Sequence, residues 1–295
     1  MRLLRALRYE CFQMFFTKRW WAVPILTALF SWYVADDLRT FGYSGLLTQY
    51  HLTYNAWDVV MRSTQTWIFL FAIFAPLLVF IVGESYLRDR SSNTMPATLP
   101  RVQSRAIWWT AKVLSMFIGA FVYMTVFSLI SLLVASCFYP FAWHFSSFQL
   151  HPELARKVLA LFGTVNADIM AIPESTPLLF LLHMLLYSTL SFGTYAVVAL
   201  VISLRVHKPA VPALIMLGMG LIEFYVNVSQ SHLWILLHSW VMQTRLSYLF
   251  VNQASTSFLI TGAPAYTLPT SILYYLVLSV LFWLIGNALI QHDDL

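Results

Sequence analysis

The residues best suited to chemistry lie in a polar, basic segment, residues 84–112, which separates two long apolar runs. Its guanidinium and ammonium groups can bind the phosphates of lipid headgroups or the carboxylates of a protein partner. The segment is too charged to cross hydrocarbon, and its Lys/Arg excess predicts a cytoplasmic location. Its cations are Arg88, Arg90, Arg101, Arg105 and Lys112.

Two prolines inside this segment indicate how the cations are presented. Pro96 and Pro100 interrupt helices and set turns. A helix that follows Pro100 would carry Arg101 and Arg105 one turn apart, so that both face a partner surface. The alternative is plain anchoring of the segment on lipid headgroups, which is the commoner role of basic loops.

The composition predicts a membrane protein. Of all residues 60% are hydrophobic and 10% are charged, whereas a soluble domain has about 25% charged residues. The length fits a single membrane domain, residues 1–295, in a multi-pass cell-membrane protein. Since basic residues of membrane proteins collect in cytoplasmic loops and against headgroups, the net charge of +5 does not indicate nucleic-acid binding.

Six apolar runs are long enough to cross a bilayer, because a hydrocarbon core of roughly 30 Å needs about 20 helical residues. The sequence therefore predicts an all-α fold with six transmembrane helices. Most of the 17 lysines and arginines fall on one side if both termini are cytoplasmic, so the topology is N-in/C-in. The predicted spans are residues 20–35, 66–83, 113–139, 177–204, 209–228 and 271–290.

Two further segments predict helices that do not span. Residues 1–19 place apolar residues at three- and four-residue spacing beside Arg2, Arg5 and Arg8, which is typical of an amphipathic interfacial helix. A cleaved signal peptide is the alternative. Residues 229–270 are apolar and aromatic but interrupted by His232, His238 and Arg245, so we expect a re-entrant or interfacial helical pair rather than a seventh span.

Several absences bound the chemistry. The chain contains no G-x-x-x-x-G-K-[ST], no H-E-x-x-H and no G-x-S-x-G sequence, and no two histidines are four residues apart. We therefore predict no catalytic residue, no metal site and no cofactor bound by this chain. Glu223 is the one carboxylate inside a predicted span. It would line a translocation path or anchor helix packing, or else reach water near the outer interface.

The whole layout resembles the permease subunit of an ABC-2 type exporter. That family is similar in having an amphipathic N-terminal helix, six spans and a polar loop between spans two and three. Asn93 stands where the family usually has Gly, and Pro96 interrupts its leucine-rich turn. The residues that match the loop pattern are Glu84, Arg88 or Arg90, Thr94, Leu99, Pro100, Ser104, Arg105 and Lys112.

The resemblance implies a dimer of permeases, identical or similar, bound to two copies of a separate ATPase that carries ATP and Mg²⁺. Segment 84–112, with Arg101 included, would dock into the ATPase and couple hydrolysis to export of an amphipathic or lipid-like substrate across a bacterial cytoplasmic membrane. Two alternatives remain. A membrane-embedded enzyme would need polar groups clustered at one depth, and an ion-coupled carrier would need charged spans or repeated broken helices.

Overall fold

The fold, described here from a computed structural model, is a bundle of α-helices. The structure describes residues 2–40, 49–65, 73–82, 104–151, 154, 176–206, 208, 210–229 and 268–292. Within these ranges there is no β-strand, so the all-α prediction is confirmed. The helices are α1 Arg2–Phe15, α2 Ala22–Thr40, α3 Ala56–Gln65, α4 Arg105–Phe138, α5 Ser147–Leu150, α6 Pro177–Arg205, α7 Ala210–Ser229 and α8 Leu268–His292. A 3₁₀ turn, Lys18–Trp21, joins α1 to α2, and residues 73–82 are also helical.

Three described helices are long and apolar enough to cross a membrane. They are Arg105–Phe138, Pro177–Arg205 and Leu268–Gln291, which correspond to the predicted third, fourth and sixth spans. The prediction of a membrane protein is thereby confirmed at this level. Helix α7 covers almost the same residues as the predicted fifth span, and α2 covers most of the first. Six complete crossings stay a prediction.

Helix α4 is the hub of the bundle and contacts α1, α2, α3, α6 and α8. Ser104 caps its first turn, because the Ser104 hydroxyl accepts a hydrogen bond from the Ile107 N–H at 3.4 Å. The helix has 34 residues, so it is about 51 Å long. A hydrocarbon core of roughly 30 Å therefore leaves about 10 Å, or about seven residues, projecting at each end. If α4 is centred, the core begins close to Lys112.

Helix α6 lies inside the bundle, with 72% of its most apolar 18-residue stretch buried against 17% for α8. Thr176 caps α6, and Pro177 occupies its first turn, where a missing N–H costs nothing. Helices α6 and α8 meet along a buried polar seam. Thr194 and Ser279 hydroxyls lie 2.8 Å apart, and Tyr195 and Tyr275 hydroxyls 3.2 Å apart. Such interhelical hydrogen bonds hold membrane helices together where burial alone supplies little.

The two ends of the bundle can be told apart by their contacts. At one end the Asn55 side-chain amide donates to the His144 carbonyl at 2.9 Å, and the Tyr139 hydroxyl donates to the Ala35 carbonyl at 3.2 Å. At the other end α1, the start of α4 and the end of α8 meet. The N-terminal helix and the C-terminal end of α8 therefore lie at the same end, as an N-in/C-in arrangement requires.

Candidate functional site at the start of helix α4

The structure describes three of the residues predicted to form the coupling segment. Ser104 is the N-cap of α4, Arg105 is its first residue and Lys112 lies two turns further on. The helix therefore begins eight residues before the predicted span, with no break between the end of the basic segment and the membrane helix. The other predicted residues lie outside the described residues; they are Glu84, Arg88, Arg90, Thr94, Pro100 and Arg101.

Arg105 binds the end of the last helix. Its guanidinium Nη1 donates to the carbonyl oxygens of Ile290 at 3.1 Å and Gln291 at 3.4 Å. These carbonyls belong to the last turn of α8, where helical carbonyls have no partner further along the helix. A cation is favourable at this negative end of the helix dipole. Arg105 thus ties the first turn of α4 to the last turn of α8.

Two tryptophans strengthen the same contact. The Trp109 indole N–H donates to the Trp283 carbonyl at 2.9 Å, and the Trp283 indole N–H donates to the Thr110 hydroxyl at 3.2 Å. Gly286 allows the close approach, since a Cβ atom there would lie 2.0 Å from Cζ2 of Trp109. Trp109 is completely buried. The first two turns of α4 therefore pack closely against the last three turns of α8.

Lys112 forms a buried ion pair with the N-terminal helix. Its Nζ lies 2.7 Å from Oε2 of Glu10, and the two side chains are 0% and 2% exposed. The same ammonium lies 5.1 Å from the ring centre of Trp108, in a cation–π contact. Charges are rarely buried unless they are paired, because their desolvation is expensive. The pair therefore fixes α1 against the second turn of α4.

This placement changes the role expected of Lys112. A side chain with no exposed surface does not present its charge at the surface, so Lys112 holds α1 on α4, and its part in coupling stays a prediction. Glu10 was not among the predicted functional residues, because only carboxylates within spans were considered. A signal was present, since Glu10 is the one acidic residue among the four charged residues of α1.

The bundle-facing side of α1 also differs from the apolar stripe that spacing alone suggests. Its buried residues are Ala6, Glu10 and Met14, one turn apart from each other. Leu4, which the periodicity places on the apolar face, is 74% exposed. Glu10 faces the bundle beside Ala6 and Met14, and its carboxylate pairs with Lys112 there.

Glu223 lies on α7, six residues before its end at Ser229. Its side chain lies outside the described residues, as does nearly all of the predicted re-entrant segment 229–270. Among the residues that the structure describes, no group of three or more His, Cys, Asp and Glu side chains could hold a metal ion.

A second buried carboxylate, Asp58, lies at the opposite end of the bundle. Its Oδ2 accepts from the Asn55 backbone N–H at 2.7 Å, and its Oδ1 accepts from the Ser146 hydroxyl at 2.9 Å. Asn55 in turn caps α3 by accepting from the Trp57 N–H at 3.0 Å. Burial raises the pKa of Asp58 from 3.8 to about 6, although the hydrogen bonds from Asn55 and Ser146 lower it. Asp58 therefore joins the loop before α3 to the loop after α4.

Two elements thus meet the first eight residues of α4. Glu10 on α1 holds Lys112, and the last turns of α8 hold Arg105 and Trp109. These residues, Glu10, Arg105, Trp109, Lys112 and Trp283, are called the α4 anchor below. Comparison of the chain with protein-family models, with curated proteins and with solved structures found no match.

Proposed function

We propose that this chain is the membrane-spanning permease subunit of an ATP-driven exporter. A separate ATPase, present in two copies, would supply the energy, and a second permease, identical or similar, would complete the pathway. The substrate would be amphipathic or lipid-like. The proposal includes six crossings with both termini cytoplasmic, a re-entrant segment at 229–270 and a translocation role for Glu223. The α4 anchor is the observation that supports it most.

A permease driven by another protein needs a stiff connection from its cytoplasmic surface to its spans. The basic segment that would receive the ATPase runs directly into α4, since Ser104 and Arg105 begin that helix. Within eight residues α4 is then fixed to α1 by Lys112 and to α8 by Arg105 and Trp109. A displacement of the segment would therefore move α1, α4 and α8 together instead of being absorbed by a loose linker.

Helix α8 also has surface left for a partner. Only 17% of its most apolar stretch is buried, and Leu273, Val277 and Val280 on it are more than half exposed. In a membrane such a face contacts lipid or another apolar helix. We place the second permease and the substrate path here because α8 is the span to which the α4 anchor would transmit motion.

The proposal is tested by reversing one charge in the basic segment. In the purified complex with its ATPase, Arg101→Glu is expected to lower substrate-stimulated or permease-dependent ATP hydrolysis at least tenfold, because a carboxylate would replace the cation that this proposal docks against the ATPase. Lys208→Glu is the matched control, since it reverses an exposed charge that lies outside the segment, between α6 and α7.

Both variants must reach the membrane at the wild-type level. Equal ATP hydrolysis by the Arg101 variant, the Lys208 variant and the wild type would contradict the coupling role of segment 84–112.

A further inference from the structure

Helix α1 carries exposed positive charge. Arg2, Arg5 and Arg8, called the arginine face below, are all exposed. None of the three forms an ion pair with a residue that the structure describes. At 100° per residue, Arg5 and Arg8 lie about 140° to 160° around the helix from Glu10, and Arg2 lies on the flank at about 80°. The one carboxylate of α1 therefore points inward and is neutralised by Lys112, so it cannot offset the arginines outside.

Two aromatic rings share this outward side. Phe12 and Phe16 are 59% and 76% exposed, and their ring centres are 4.2 Å apart. Like Arg5 and Arg8, Phe12 lies on the side of α1 opposite Glu10. Exposed phenyl rings next to cations suit a membrane interface, where the ring is buried among acyl chains and the cation stays with the headgroups.

The depth of α1 follows from its contacts with α4. Glu10 meets Lys112, near the expected edge of the hydrocarbon core, and Met14 packs next to Gly119, seven residues deeper. The chain of α1 therefore descends toward the core from Glu10 to Met14. The arginine face precedes Glu10, so it lies nearer the water than Phe12 and Phe16, and the exposed Lys18 follows the two rings along the chain. The two rings therefore have cations on both sides.

We propose that the arginine face binds anionic phospholipid headgroups. The guanidinium groups would hold phosphates by paired hydrogen bonds, and Phe12 and Phe16 would pack on the glycerol and upper acyl chains of the same lipids. Exposed rings flanked by cations match a phospholipid, whose acyl chains would cover the rings, whereas an acidic protein surface would leave the two rings in water. This proposal does not depend on an ATPase and stands or fails separately from the exporter function.

The experiment measures lipid binding directly. The purified full-length chain in detergent is incubated with dioleoyl phosphatidylglycerol or dioleoyl phosphatidylcholine, and bound lipids are counted by native mass spectrometry. The wild type should bind phosphatidylglycerol in preference. Each arginine near a membrane surface contributes about a fivefold increase in affinity for anionic lipid, so the triple variant R2Q/R5Q/R8Q should lose that preference by at least tenfold.

Two control variants separate the surface from general charge. R2K/R5K/R8K keeps the charge and should keep most of the preference, while Arg39→Gln removes an exposed cation at the far end of α2 and should leave it unchanged. Unaltered phosphatidylglycerol binding by the triple glutamine variant would overturn the proposal. So would complete displacement of the lipid by inorganic phosphate, because the site would then recognise a free anion.

A wild-type measurement covers the case in which the triple variant does not fold. Binding between exposed charges weakens as salt rises, so the preference of the wild type for phosphatidylglycerol should decline steeply between low and high salt. A preference that does not respond to salt would overturn the electrostatic basis of the proposal.

Discussion

The buried ion pair between Glu10 and Lys112 gives the sharpest quantitative prediction. Removing one partner leaves the other charge buried at 0% or 2% exposure without its counter-ion. Breaking a buried pair in this way costs about 3–5 kcal/mol, which corresponds to a roughly 150-fold to 5,000-fold fall in the ratio of folded to unfolded protein. We therefore expect Lys112→Met and Glu10→Gln each to destabilise the chain by this amount.

The double variant distinguishes a pair from two independent effects. Replacing both charges by apolar residues of similar size removes the desolvation cost together with the attraction, and such replacements are often neutral or stabilising. E10L/K112M should therefore be at least 2 kcal/mol more stable than K112M alone, an amount within the usual range for coupled neighbours, about 0.5–3 kcal/mol.

The chain contains a matched control for this experiment. Arg62 and Asp37 form an ion pair with the same 2.7 Å separation, but their side chains are 39% and 22% exposed. A pair that water reaches contributes only about 0–1 kcal/mol, so Arg62→Met should have a small effect. The contrast between the two pairs isolates burial from distance.

Stability would be followed by tryptophan fluorescence during unfolding of the detergent-solubilised protein in a denaturing detergent. A buried, neutralised pair is excluded if Lys112→Met destabilises the protein no more than Arg62→Met does, or if the double variant is no more stable than the single variants. Either result would mean that Glu10 and Lys112 do not hold α1 on α4 as a neutralised buried pair.

Two further predictions concern packing and pH. Gly286→Ala should destabilise the α4–α8 contact by about 1–3 kcal/mol, because the new methyl group overlaps the fixed Trp109 ring; Gly218→Ala, which meets no atom within 4 Å, should be neutral or slightly stabilising. Both are measured by thermal unfolding, and equal effects would contradict the close approach of the two helices. The second concerns Asp58, whose folded pKa is raised from 3.8 to about 6. The folded protein holds the Asp58 proton more tightly than the unfolded chain does. The stability gained from this proton is therefore complete below about pH 4 and is lost as pH rises through about 6, a change of about 3 kcal/mol. Asp58→Asn should flatten the stability curve in this window, and an unchanged curve would show that another group titrates there.

Hydrophobic runs predicted helices α6 to α8 well, because length and apolar content are local properties of the chain. The predicted span 177–204 and the observed helix Pro177–Arg205 differ by one residue, at the C-terminal end. The start of the helix coincides with the prediction, and there Thr176 supplies a capping side chain and Pro177 occupies the first turn. The apolar run that predicts span 271–290 lies within three residues of both ends of the observed helix, Leu268–His292.

The start of α4 could not be predicted in this way. Residues 105–112 include two charged residues, which lower the local hydropathy, so the apolar run begins only at 113. These residues can be helical because groups on α1 and α8 bind their two charged side chains. Arg105 meets carbonyls 185 residues away, and Lys112 meets a carboxylate 102 residues away. Such pairings depend on the assembled bundle, and no local pattern contains them.

Our proposal that a separate ATPase drives this chain is tested by purifying the tagged chain from its native membrane in mild detergent and identifying the copurified proteins by mass spectrometry. We expect an ATPase with a phosphate-binding loop to copurify in a fixed ratio to this chain. Reproducible recovery of the intact, folded chain without any such ATPase would contradict it, and segment 84–112 would then be read as an anchor on lipid headgroups.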